Sequence, residues 1–90
     1  MKSNESHELA QALLQVVDNQ LKALDPPETN ETYTRLISEG YSQKQARNFL
    51  AAAVRMEINE MMKNLESFNR ERFVTILHGL PNFPAADNTI

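Results

Sequence analysis

The strongest signal in this chain is a helical period of apolar positions, interrupted by residues that stop helices. Leu9, Leu13, Val16, Val17, Leu21 and Leu24 recur at spacings of three, four and seven. That spacing sets them on one face of an α-helix, with Glu8, Gln15, Asp18, Asn19 and Lys22 on the other. A first helix is predicted over about 5–24. Ser3, Asn4 and Ser6 are each suited to cap it, and Asp25-Pro26-Pro27 ends it, because a residue preceding proline is pushed out of the helical region.

Asp25 is then expected to cap a second helix over about 27–39. Proline is tolerated at the first helical position, and Glu28 three residues on completes a box-like pattern. The apolar stripe there is thin, Tyr33 with Leu36 and Ile37, and Gly40 stands where a left-handed terminating residue is wanted. Tyr41-Ser42-Gln43-Lys44-Gln45-Ala46 reads as a helix start: Ser42 caps, Gln45 returns the bond, and Tyr41 staples onto Ala46. The third helix, over about 43–64, is some six turns or about 33 Å long. It carries Ala46, Phe49, Leu50, Ala53, Val54, Ile58, Met61 and Met62 on its apolar side, with Leu65 continuing the stripe.

Phe68 and Phe73 flank Asn69 as a second staple, with Asn69 as N-cap and Glu71 well placed against the helix dipole. A fourth helix over about 70–79 turns Phe73, Ile76, Leu77 and Leu80 inward, before Gly79 weakens it and Pro81 ends it. Residues 82–90 have no period and read as a flexible tail anchored at Phe83. No strand pattern is present. The expected fold is all-α, one domain over 1–81: an irregular four-helix bundle with a long central third helix, consecutive helices packing antiparallel across short connections.

Composition adds bounds to this picture. With 90 residues, 41% hydrophobic and 23% charged, the chain sits near the average for folded domains. A chain this small also has little core to spare, which makes self-association worth weighing. It has no cysteine, so it offers no disulfide, thiolate nucleophile or cysteine metal site, and a cytoplasmic location is expected. Glu5 and Glu8 follow Lys2 too closely for an export signal, and the longest apolar run, Leu50 to Val54, is far short of the roughly 20 residues of a membrane span.

The net charge of −3 argues against a main task of neutralising phosphates. The bases are concentrated in the second half, where Lys44, Arg47, Arg55, Lys63, Arg70 and Arg72 outnumber the acids between Gln43 and Val74.

Candidate chemistry is sparse. Glu57 falls inside the apolar stripe of the third helix, where a half-buried carboxylate either pairs with a base such as Arg35 or Arg72 or takes part in chemistry. The structural pairing is the favoured reading. The two histidines, His7 and His78, lie in different helices, and the Glu-x-x-His pattern of helix-bundle metal sites is missing. No metal, cofactor, small-molecule ligand or catalytic group is therefore expected, and His78 reads as a helix C-terminal histidine.

Two surfaces remain. Leu36 to Ala46 looks like the turn of a helix-turn-helix unit, which would aim Gln43, Lys44, Arg47 and Asn48 at base edges and phosphates. The same turn is similar to the Gly-aromatic-Ser turn of ubiquitin-associated domains, but there the following helix is short and here it runs on. The acidic total ranks nucleic acid second. The stronger signal is the apolar arc of the third helix, about 200° at 100° per residue, more than one neighbour can cover. Either the other three helices surround it, or it serves a second copy or a partner through Met61, Met62, Leu65, Phe68 and Phe73.

Glu31-Thr32-Tyr33, Arg35-Leu36-Ile37, Glu39-Gly40-Tyr41-Ser42, Glu57-Ile58 and Phe68-Asn69-x-x-Arg72-Phe73, ending in Leu80-Pro81, together resemble a family of small bacterial all-helical proteins of unknown function. The likeness spans roughly Leu13 to Pro81, with Asn69 where an aspartate is expected. It implies a bacterial cytoplasmic helical domain and assigns no chemistry. The functional expectation is a non-enzymatic protein that works through helix-face contacts with itself or another protein, with a DNA-binding regulator as the alternative.

Overall fold

The computed structural model describes residues 2–83. Among the described residues the chain forms four helices and no strand: α1 Lys2–Ala23, α2 Pro27–Ser38, α3 Gln43–Asn64 and α4 Arg70–Gly79. The reading of residues 82–90 as a tail lies outside the described residues from 84 onward. Phe83 sets its ring 6.3 Å from that of Phe49.

Helix starts follow the local chemistry in two of four cases. Ser42 closes a full capping box, its Oγ accepting from the Gln45 amide at 3.0 Å while its own amide donates to Gln45 Oε1 at 2.9 Å. Asn69 Oδ1 accepts from the Arg72 amide at 3.0 Å, and the Phe68 and Phe73 rings meet at 5.4 Å as the staple requires. Asp25, however, does not cap α2. Pro26 holds the N-cap position in extended backbone with no side-chain bond, while the Asp25 amide turns back to the Gln20 carbonyl at 3.1 Å and so closes α1 instead. The start of α1 also differs. The helix already runs from Lys2, so Ser3, Asn4 and Ser6 lie within it.

Three helices end on a left-handed residue, and only one of those residues is glycine. After α2, Gly40 has φ +105; the Tyr41 amide reaches the Leu36 carbonyl at 3.1 Å and the Gly40 amide reaches Ile37 at 3.0 Å, the two bonds of a Schellman closure. Leu24 and Leu65 do the same work after α1 and α3, at φ 56 and φ 53. A leucine pays a steric penalty there of about 1–2 kcal/mol that glycine avoids.

The core is built around α3. Ala46, Leu50, Ala53 and Val54 meet Leu13 and Val17 from α1, Leu36 from α2, Phe73, Ile76 and Leu77 from α4, and Leu80 just past its end, in one buried cluster. α3 touches all three other helices, whereas α1 and α4 do not touch among the described residues. Short connections predict that chain neighbours pack together, yet α1 lays most of its contact on α3, since the short α2 has little apolar surface to offer.

Polar clips fix the remaining angles. Thr29 Oγ1 donates to Gln20 Oε1 at 2.9 Å and Asn30 Nδ2 to the Leu21 carbonyl at 3.0 Å, joining α1 to α2. Arg70 pairs with Glu28 at 2.9 Å and Arg35 Nη2 donates to the Leu77 carbonyl at 3.1 Å. The last two contacts follow the same order along both helices, so α2 and α4 run parallel.

Candidate functional site

The best-built polar cluster lies where α3 meets the start of α4. Glu57 projects from α3 into the core and is 1% exposed. Its Oε1 accepts from Arg72 Nε at 2.7 Å, and its Oε2 accepts from Arg72 Nη2 at 2.9 Å and from the Asn69 amide at 2.8 Å. This is the bidentate fork that suits guanidinium to carboxylate. Burial pushes the Glu57 carboxyl upward, but the Arg72 hydrogen bonds, the Asn69 amide and the guanidinium charge outweigh it and hold the group below its ordinary value of 4.5. Arg72 is correspondingly held more firmly protonated, first by its hydrogen bonds to Glu57, against burial, and then by Glu66.

Of the two bases the sequence offers to Glu57, the fold uses Arg72; Arg35 goes to Glu39 and to the end of α4. With both carboxylate oxygens and all three guanidinium nitrogens engaged, the cluster is a structural pin. Arg72 Nη1 also reaches Glu66 at 3.2 Å, so the connection between α3 and α4, residues 65–69, is tied down from within.

The outer side of that connection is apolar. Met62 is 69% exposed, Leu65 92% and Phe68 45%, while Met61 is half-buried. Phe73, grouped with them by sequence, is wholly buried beneath Phe68. It therefore supports the surface from below and is not open to a partner. The wide apolar arc of α3 thus divides in two. From Ala46 to Ile58 it is covered by the other helices, and past Met61 it leaves the bundle and faces solvent.

Leu9 and Val16 also face outward, which their spacing does not signal. Both sit in the apolar stripe of α1, yet they are exposed, and the six residues from His7 to Ala12 are all exposed. The first buried side chain of α1 among the described residues is Leu13. An amphipathic period says which face of a helix is apolar but not how far along its length the bundle reaches.

The alternative surface is arranged differently. Gln43, Lys44 and Asn48 are exposed at the start of α3, but Arg47 is turned back onto α1, with Nε and Nη2 donating to Asp18 at 3.1 and 2.9 Å. A groove of about 320 Å³ between α3 and α4 is lined by Met56, Glu60, Arg72, Thr75 and Ile76, and its one guanidinium is already engaged by Glu57 and Glu66. His7 and His78 are both exposed. Among the described residues no three His, Cys, Asp or Glu side chains converge as metal ligands, and no helix is long and apolar enough to cross a membrane.

No known protein family matches the chain, and neither a curated protein nor a solved structure matches it at a significant level.

Proposed function

We propose that this chain is a non-enzymatic helical protein that acts through protein contacts at the α3–α4 elbow, either with a second copy of itself or as an accessory subunit of another protein. One observation carries the reading: Met62, Leu65 and Phe68, 69%, 92% and 45% exposed, put three large apolar side chains into solvent within seven residues of one connection, and apolar side chains gathered in this way mark contact surfaces.

The surroundings support this. Met62 and Phe68 lie beside Leu65, and methionine adapts well to contact surfaces. The Glu57–Arg72 pin holds the elbow from inside, so little ordering entropy is lost when the apolar side chains are covered. A bacterial cytoplasmic setting belongs to the same proposal and rests on the resemblance carried by Arg35-Leu36-Ile37, Glu39-Gly40-Tyr41-Ser42 and the Phe68 to Phe73 segment.

The test is site-specific photo-crosslinking. A crosslinking side chain at position 65 is expected to form a discrete protein adduct under native conditions, whereas the same group at exposed Thr34 on α2 is not. Equal or absent adduct formation at the two positions contradicts the proposal.

A further inference from the structure

Among the described residues the elbow carries the one fully exposed sulfur. The chain has four methionines and neither cysteine nor tryptophan. Met1 lies outside the described residues. Met56 and Met61 are half-buried, with Met56 packed against the core, whereas Met62 is 69% exposed. The helix accounts for the difference between neighbours. At about 100° per residue, Met61 leaves α3 about 40° from the core-facing Glu57, and Met62 about 140° from it. Oxidation by peroxide turns the flexible apolar side chain of methionine into a polar one, and it requires that the oxidant reach the sulfur.

Resting on the reading of the elbow as a contact surface, we propose that Met62 is an oxidation site, at which hydrogen peroxide or another peroxide switches that contact off. The Met62 sulfur attacks one peroxide oxygen with its lone pair, and the S–O bond forms as the O–O bond breaks. Sulfur loses two electrons and the peroxide gains them. The proton of the transferred oxygen passes to the departing hydroxide, which leaves as water.

The sulfoxide oxygen is a strong hydrogen-bond acceptor. In the free chain water satisfies it, because this side chain stands in solvent. Once covered, it sits beside Leu65 and Phe68, whose side chains have no donor to offer, and a polar group desolvated without a bond opposes the contact. The fold is spared, since Met62 belongs neither to the buried core nor to the Glu57–Arg72 pin. Reduction of the sulfoxide by a methionine sulfoxide reductase restores the thioether, so the change is reversible.

The experiment takes two readouts from the full chain. In the first, hydrogen peroxide is titrated onto the purified protein and each methionine is followed by tandem mass spectrometry, which separates Met61 from Met62. Met62 is expected to oxidise at least about three-fold faster than Met56 or Met61. Equal rates, or either of the others first, overturn the site. The second readout is the adduct formed from a crosslinking side chain at position 65, after the peroxide has been removed. Its yield is expected to fall at least about three-fold on oxidation, and equally in untreated Met62→Gln, which no reductase repairs. Met62→Leu is expected to keep the yield with and without peroxide. A yield that survives oxidation of Met62, or that falls as far in Met62→Leu, overturns the switch. Helical circular dichroism is expected to be the same before and after oxidation, and its loss would assign the effect to the fold and overturn the switch as well. Absence of adduct in the untreated protein defeats the contact reading and the switch together, whereas an adduct indifferent to Met62 oxidation defeats the switch alone.

Discussion

Glu57 of α3 and Arg72 of α4 meet in two parallel hydrogen bonds of 2.7 and 2.9 Å, and the same carboxylate takes the amide of Asn69, the residue that caps α4. One buried side chain therefore orients a neighbouring helix, its cap and the connection leading into it. Removing one member of such a pair costs more than removing both, because the survivor is left buried and unpaired.

Arg72→Met is accordingly expected to destabilise the fold by about 3 kcal/mol or more. Glu57→Met with Arg72→Met is expected to recover a large part of that loss, leaving about 1 kcal/mol for the orphaned Asn69 amide. Urea unfolding of wild type, Arg72→Met, Glu57→Met and the double variant, read as a double-mutant cycle, checks the order. A double variant less stable than Arg72→Met contradicts it.

The pin also sets a pH dependence. Glu57 has a folded-state pKa below its ordinary value of 4.5, so its contribution to stability is fully present above that value and is lost as pH falls through the lower folded-state pKa. Thermal unfolding of wild type should show an acid-side decline below about pH 4.5 that is visibly smaller in Glu57→Gln. Parallel declines in the two proteins would place the titrating group elsewhere.

Leu65 and Gly40 occupy the same kind of left-handed position at helix ends, with opposite costs. Gly40→Ala is expected to lose about 1 kcal/mol, because φ +105 suits glycine and nothing else is gained. Leu65→Gly is expected to gain about 0.5–1 kcal/mol in the isolated chain, since strain is relieved and almost no packing is lost. The same change should weaken any contact made through the elbow. Chemical denaturation alongside solution mass separates the two effects.

Arg47 and Asp18 join α3 to α1 in solvent, each side chain at least a third exposed. Arg47→Ala should cost at most about 1 kcal/mol. Because the guanidinium is held by Asp18, the substitution should not change the response of the chain to duplex DNA. A large loss of sequence-specific DNA affinity in Arg47→Ala, measured at two salt concentrations, would revive the groove-reading role of Gln43, Lys44, Arg47 and Asn48.

Much of the fold was legible because it depends on local chemistry. The Ser42 box, the Asn69 cap, the Phe68–Phe73 staple and the Gly40 closure are each contained within six residues, and each stands where the side chains predict. What was hidden depends on partners distant in sequence or on backbone that composition does not reveal. Arg72 and Arg35 were equally eligible for Glu57, and only the packing of α4 on α3 separates them. Leu24 and Leu65 carry no mark of a left-handed helix end, since glycine is the residue that signals one. Met62 and Leu65 continue the apolar period of α3, and a period alone does not disclose that the bundle ends at Ile58. For the same reason Phe73 and Leu65 look alike in sequence, although one fills the core and the other stands in solvent.

The most direct measurement is a methyl NMR dilution series on the wild-type chain, following Met62 and Leu65 against the buried Leu50 and Leu77. Shifts at Met62 and Leu65 that grow with concentration, while Leu50 and Leu77 stay fixed, are predicted if the elbow meets a second copy. Resonances that do not move across the series, or movement centred on α2, would contradict it.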